Sequence, residues 1–422
     1  FNSKVVPSFD VTTGALTYRT SDTSTIIVSS TGAGDAAVLQ VLVDGVVDPR
    51  LGQILAGEIT SISFVGGDGD DVFDLTGVDL AVFNDLVSVN INGGGGNDLL
   101  NGTFLPETII GGDGNDSLGG SGGDDLLDGG AGNDSLRGAA GIDTLLGGDG
   151  DDVLEGQGSS GDMLSGGAGN DTLDGGAGND FLMETGDVNF VITNTSLTGL
   201  GTDVLRNVER AFLVGGDGNN VLDASGFSGP QTDVTLYGEG GNDTLLGSTG
   251  NDQMFGGAGD DSMSGFDGND RMRGSAGRDT MDGGNGDDLL NGQGSSGDRL
   301  TGGLGNDTID GGGGNDLFVE TVTGNITVLA GSSTGVGTDT LISVETAVIT
   351  GNNSDNIIDL SAFGGLAIVN GGDGSDLITG TANADLLRGQ GGNDTINGLA
   401  GDDTINGGGG NDLLNGGTGN DG

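Results

Sequence analysis

The chain has 422 residues, with 96 Gly, 4 Pro and no Cys, His or Trp, and its formal charge is −53. A polyanion of this kind is a poor partner for nucleic acid or an anionic membrane surface and a good one for cations. The missing Cys and His exclude disulfides, thiolate catalysis and Cys-based zinc sites, and remove the commonest general base and transition-metal ligand.

Residues 1–92 read as a strand-rich module. The stretches 24–29 (STIIVS), 37–43 (AVLQVLV), 59–65 (ITSISFV) and 87–92 (VSVNIN) are β-branched, partly alternating and bounded by Gly, Asp and Pro. From Gly93 a nine-residue phrase takes over, G-G-x-G-(N/D)-D-x-(apolar)-x. It runs as GGDGNDSLG, GSGGDDLLD, GGAGNDSLR, GAAGIDTLL and GGDGDDVLE from Gly111, Gly120, Gly129, Gly138 and Gly147. Self-similarity at a short fixed period marks a solenoid. This first array spans 93–183 and includes a degenerate copy, GTFLPETII from Gly102, and a ten-residue copy, GQGSSGDMLS from Gly156.

A spacer module at 184–237 follows, then a second array at 238–319 with its own ten-residue copy, GQGSSGDRLT from Gly292. A second spacer at 320–370 leads to a third array at 371–422. The spacers echo one another. Gly201-Thr202-Asp203-Val204-Leu205 matches Gly337-Thr338-Asp339-Thr340-Leu341, and Val221-Leu222-Asp223 matches Ile357-Ile358-Asp359, with Val72-Phe73-Asp74 in the equivalent place near the start. Spacer plus array is thus a longer unit present about three times. No segment shows a capped helical period or an apolar run near the roughly 18 residues of a membrane span. The expected fold is all-β: a parallel β-roll or β-helix solenoid of nonapeptides interrupted by strand-rich spacers.

Within the phrase, Gly at positions one, two and four permits a tight turn whose carbonyls and amides point to one side. Position eight is apolar, as in Leu118, Leu127, Leu136, Leu145 and Leu154, then Met254, Met263, Met272 and Met281. One inward residue per very short strand suits a flattened coil built from two nonapeptides, with a strand on each of two faces. One buried apolar side chain for every nine ordered residues is too little to offset chain entropy, and stacked carboxylates oppose folding further.

The compensation is expected at position six. A carboxylate recurs there at Asp71, Asp98, Asp116, Asp125, Asp134, Asp143, Asp152, Asp162, Asp171 and Asp180. It continues at Asp243, Asp252, Asp261, Asp270, Asp279, Asp288, Asp298, Asp307 and Asp316, and then at Asp376, Asp385, Asp394, Asp403, Asp412 and Asp421. Carboxylates plus turn carbonyls suit Ca²⁺, which takes about 6–8 oxygens in flexible geometry, better than Mg²⁺ with its strict octahedron. On the order of one Ca²⁺ per nonapeptide would cancel nearly all of the net charge.

At these residues the chain resembles the RTX (repeats-in-toxin), or haemolysin-type, calcium-binding family, of the kind found in large bacterial surface proteins and exoproteins. The resemblance implies a parallel β-roll exported into calcium-rich surroundings, with each ion between turns stacked on one side, two nonapeptides apart. Asp116, Asp134 and Asp152 would then line one edge, and Asp125 and Asp143 the other. Backbone carbonyls of the first four positions would complete each shell, for example those of Gly129, Gly130, Ala131 and Gly132. Asn220 and Asn356 depart from the motif, as does Glu107 in the degenerate copy, so no ion is assigned there. The extra residue in the Gly156 and Gly292 copies is expected to distort the turns of Asp162 and Asp298.

Other motif matches are weak. Gly156-Gln157-Gly158-Ser159-Ser160-Gly161 satisfies a dinucleotide-binding pattern without a following helix. Gly119-Gly120-Ser121-Gly122-Gly123 mimics a nucleophile elbow in a chain without His. In paired acids such as Asp124-Asp125, the first member is read as a solvated neighbour. The chain opens on Phe1-Asn2-Ser3-Lys4 and closes inside a repeat, so both ends are expected to be internal to something longer.

The expectation is a non-enzymatic, secreted or cell-surface calcium-binding structural segment, self-associating head to tail into fibres or a longer solenoid, without nucleic-acid binding or membrane insertion. The competing reading is the secretion and folding region of an exoenzyme or toxin whose catalytic domain lies elsewhere. A weaker third is carbohydrate or ice binding on a flat face.

Overall fold

A computed structural model describes residues 5–10, 12–31, 38–44, 46–49, 54–81, 83–229 and 232–422. Apart from short 3-10 turns such as Ala56–Glu58, its regular structure is β. No helix among the described residues is long and apolar enough to cross a membrane. The chain forms two compact units, Phe1–Glu184 with Asn194–Phe212, and Thr185–Thr193 with Leu213–Gly422.

Each unit is a parallel β-solenoid. In the first, the strand Leu126–Ala131 lies between Glu107–Asp113 and Thr144–Asp149, all parallel. On the other face Ser117–Gly122 lies between Leu99–Asn101 and Ser135–Ala140. Leu127 is in register with Leu145, and Leu118 with Leu136, so one coil is two nonapeptides and successive repeats fall on alternate faces. The second unit repeats the construction, with Met254 on Met272 and Met263 on Met281.

The core is a column of position-eight side chains. Leu118, Leu127, Leu136, Leu145, Leu154, Leu164 and Leu173 are buried, as are Met254, Met263, Met272, Met281, Leu290 and Leu300. At the N-terminal end the core broadens: the Phe64 and Phe73 rings stack at 4.7 Å, and Tyr18 lies 5.8 Å from Phe64. The strands expected there occur at Thr25–Thr31, Val38–Val43, Ser61–Val65 and Ser88–Gly95. Ala37, part of one expected strand, lies outside the described residues.

The spacer within 320–370 does not stop the solenoid. Ile326–Leu329 pairs in parallel with Ile357–Ala362, and Thr338–Ile342 with Thr308–Asp310. Between them Ser332–Thr334 runs antiparallel to both Ile326–Leu329 and Thr338–Ile342. The chain thus folds back and inserts extra strands between two coils of one face. In the first unit, Thr202–Arg206 likewise joins Thr172–Asp174 in parallel and Ser196–Thr198 antiparallel.

Stacking uses the conformational freedom of the phrase's glycines, although at position two Ser121, Ala139 and Phe266 also turn left-handed. Gly130 (φ +100°) and Gly132 (φ +125°) sit in the left-handed half of backbone space, and a Cβ on either would drive into the carbonyl oxygen of Gly112 or Gly114 one coil below.

Candidate metal centres on the turn edges

The position-six carboxylates form ladders along the two edges of each solenoid. The Asp116 N–H donates to Asp134 Oδ1 at 2.7 Å, the Asp134 N–H to Asp152 Oδ1 at 2.7 Å, and the Asp152 N–H to Asp171 Oδ1 at 2.8 Å. On the opposite edge the Asp125, Asp143 and Asp162 N–H groups donate to Asp143, Asp162 and Asp180 at 2.8–3.0 Å. In the second unit the same chains run Asp243–Asp261–Asp279–Asp298–Asp316 and Asp252–Asp270–Asp288–Asp307. Beyond these run Asp376–Asp394–Asp412 and Asp385–Asp403–Asp421.

One carboxylate oxygen is thereby spent on the coil below. The other, Oδ2, turns over the position-one glycine of its own turn, so that a Cβ on Gly129 would meet Asp134 Oδ2 and the Gly147 carbonyl together. In twenty of the position-six aspartates, Asp98, Asp116 and Asp134 among them, Oδ2 is buried and has no hydrogen-bond partner. A buried, unpartnered carboxylate oxygen is costly, and a row of them requires a counter-charge or a proton. Burial, with neighbouring carboxylates adding to it, pushes Asp98 and Asp134 up to about 7 and Asp125 and Asp270 up to about 8.

No three acidic side chains among the described residues converge on one point. Each turn offers one carboxylate, so further oxygens for a cation must be backbone carbonyls. The Ala131 carbonyl accepts the Gly114 N–H at 2.7 Å, while those of Gly130 and Gly132 lie directly under the Cα atoms of Gly148 and Gly150. The Gly129 carbonyl faces the Gly111–Asp116 turn in the same way. This donor set, all oxygen, mostly neutral and adaptable, fits Ca²⁺.

Several expectations are refined. The ten-residue copies keep their place: the extra residue is taken up in the loop, where Gln157 (φ +63°) and Gln293 (φ +61°) turn left-handed, and Asp162 and Asp298 stay in their ladders. Asn220 and Asn356 stand where an acid is expected, and their amides donate to the Val188 carbonyl at 3.2 Å and the Gly324 carbonyl at 3.0 Å. Position five, read as a solvated neighbour, is exposed but carries its own ladder. The Asn133 N–H donates to Asn115 Oδ1 at 2.7 Å, and the Asp151 N–H to Asn133 Oδ1 at 3.0 Å.

Four ladder residues lie outside the twenty-five positions singled out in the sequence. Asp203 and Asp339 accept the N–H of Asp171 (3.0 Å) and Asp307 (3.2 Å), and Glu209 and Glu345 accept that of Asp180 (2.9 Å) and Asp316 (3.0 Å). The first two were detectable, because 198–205 (TGLGTDVL) and 334–341 (TGVGTDTL) keep the nonapeptide with Thr in place of its position-one glycine. The glutamates have no such frame; only register, which sets Thr346 beside Leu317 and the Arg210 N–H on the Asp180 carbonyl, places them at position six.

Fold and edge chemistry together define a calcium-binding parallel β-roll. The RTX calcium-binding nonapeptide repeat matches residues 90–104, 106–136, 128–161, 157–183, 212–226, 235–263, 264–296, 293–319, 370–403 and 388–422, more than half the chain. The chain belongs to that family. No curated protein matches it. Among solved structures, the extracellular lipase LipA from Serratia marcescens is 22% identical over 57% of this chain and 38% of its own, with a TM-score of 0.14. The chain thus spans well under half of that lipase, and at this level the likeness bears on neither architecture nor activity.

Proposed function

We propose that this chain is an extracellular structural segment, a β-solenoid rigidified by calcium and belonging to a surface, adhesin or fibre-forming protein. The observation that carries this reading is the row of buried position-six carboxylates, each with one oxygen bonded to the coil below and the other without a partner. In this reading those unpartnered oxygens, with turn carbonyls such as those of Gly129, Gly130, Ala131 and Gly132, hold the ions. A structural role is supported by repetition: arrays at 93–183, 238–319 and 371–422 alternate with strand-rich segments.

Far-ultraviolet circular dichroism and hydrogen exchange, with calcium and after its removal, test the proposal. The expected result is loss of β signal and of amide protection in the arrays on calcium removal. A chain equally ordered in both conditions would sink it. Sedimentation at rising protein concentration in calcium tests self-association, for which growing head-to-tail species are expected.

A further inference from the structure

Not every acid at position six has an orphaned oxygen, and the exceptions follow a rule. In the second nonapeptide of each array, position two is Thr103, Ser248 or Thr381. All three are buried and bond the acid of their own turn in a similar way, Ser248 also bonding the Thr232 carbonyl. The backbone N–H of Thr103 donates to both Glu107 oxygens at 2.9 Å, and those of Ser248 and Thr381 donate to Asp252 Oδ2 and Asp385 Oδ2 at 2.6 Å. The hydroxyls of Ser248 and Thr381 lie 2.9 Å from the other oxygen of the same acid, and the Thr103 hydroxyl also bonds Glu107. Each hydroxyl in turn accepts the N–H of position four (Leu105, Gly250 or Asn383) at 3.0 Å.

A hydroxyl at position two is not sufficient. Ser121 (φ +77°) and Ser275 (φ +85°) occupy the same position in the left-handed conformation of the ordinary turn, and Asp125 Oδ2 and Asp279 Oδ2 remain unpartnered. None of Thr103, Ser248 and Thr381 has a positive φ, and that difference turns their N–H onto the acid. What sets these three turns apart is the coil below. Asp252 and Asp385 accept the N–H groups of Val234 and Ala367 at 2.8 Å, and Glu107 is in register with Val89, so an apolar residue, neither acid nor amide, holds position six beneath each of them. Asp243 and Asp376, by contrast, have Asn220 and Asn356 beneath and keep the ordinary turn and an unpartnered Oδ2.

The remaining ladders begin in kind. Asp71 is held by the Thr20 hydroxyl at 2.8 Å, the Gly67 N–H at 3.1 Å and the Ser24 N–H at 2.7 Å. The other two begin on the neutral Asn220 and Asn356.

We propose that the hydroxyl-bridged turns 102–107, 247–252 and 380–385 take no calcium and are closed, ion-independent caps that set where the ladders of ions above them begin. A cation at such a turn would have to displace two or three protein donors already seated on the carboxylate, and would find no acidic turn beneath to share it. This inference rests on calcium being the ion of the interior turns.

The test counts calcium bound per full-length chain, by elemental analysis after equilibrium dialysis, in Asp252→Asn and Asp385→Asn against Asp270→Asn and Asp403→Asn. The expected result is no loss of ions from the first pair and loss of at least one from each of the second. Loss from the capped variants equal to that from the interior ones would overturn the proposal. Ser248→Ala and Thr381→Ala give a second readout. A cap that works without ions predicts the same lowering of the unfolding midpoint with and without calcium, and a lowering seen only in calcium would also overturn it. A wild-type chain that binds no calcium, with Ser248→Ala still destabilising, would sink the calcium reading and leave the caps standing.

Discussion

Asp134→Asn should change stability in opposite directions depending on calcium. In the metal-free protein Asn keeps an oxygen for the Asp116 N–H, now at 2.7 Å from Asp134 Oδ1. It replaces the unpartnered Oδ2 with an amide, as Asn356 does when it donates to the Gly324 carbonyl at 3.0 Å. One pKa unit is worth about 1.4 kcal/mol, so lifting this carboxyl from 3.8 to about 7 bounds its cost, when ionised, at about 4 kcal/mol. Relaxation and water at the rim of the turn reduce that to about 1–2 kcal/mol. The calcium-free variant should therefore be more stable than wild type by about that amount above neutral pH. In calcium the sign reverses, because an ion held at a free concentration about a hundredfold above its dissociation constant contributes about 2.7 kcal/mol that the variant forfeits. Urea unfolding midpoints of both proteins, in calcium and without it, measure the two shifts. Shifts of the same sign in both conditions would refute the assignment of Oδ2 to a cation.

Three further outcomes are expected. In calcium-free solution stability should fall as pH rises from about 4 to about 8. Asp98, Asp125, Asp134 and Asp270 have folded-state values raised to about 7–8, so the folded chain binds more protons than the unfolded one across this window and the destabilisation is complete only above it. Thermal melts across pH check the slope, and calcium should abolish it by displacing the protons. Leu145→Ala, at a fully buried position-eight site, should cost about 2–5 kcal/mol with or without calcium, whereas Met272→Leu should cost less than about 1.5 kcal/mol. Parallel denaturation curves distinguish the two. Gly132→Ala should also destabilise in both conditions, since its φ of +125° and the Gly114 carbonyl oppose a Cβ whether or not an ion is bound. Amide exchange in the 129–137 repeat reads that loss locally.

The solenoid was legible because two of its determinants are strictly periodic. Position eight must fill a narrow core, and position four must pass a carbonyl of the coil below, so Leu136 and Gly132 are fixed by their phase alone. What depends on the neighbouring coil was not legible. Ser121 and Ser248 hold the same position in the phrase, yet one is left-handed and the other closes on its acid, because acidic turns continue beneath the first and stop beneath the second. Asp203 and Asp339 escaped for a related reason. Thr198 and Thr334 replace their position-one glycine where the chain folds back, so the phrase survives only in part, and register with Asp171 and Asp307 places them in the ladder. The antiparallel course of Ser332–Thr334 has no signature either, since alternation identifies a strand and not its direction.

Asn356 shows that this fold can satisfy position six without charge: its amide donates to the Gly324 carbonyl, its Oδ1 accepts the Asn352 N–H, and the coil closes. Hydroxyl-bridged Asp252 and Asp385 satisfy it another way, with protein donors on both carboxylate oxygens. Carboxylates left half-satisfied through the interior of each ladder are therefore not imposed by the architecture. An all-Asn edge would fold without ions and would be indifferent to its surroundings. An Asp edge makes folding conditional, since the metal-free coil carries a row of buried like charges that only protons or a divalent cation can relieve. Each such carboxylate also accepts the N–H of the coil below, so on the proposed reading an ion bound at one turn would help order the next and couple ion uptake to the growth of the solenoid.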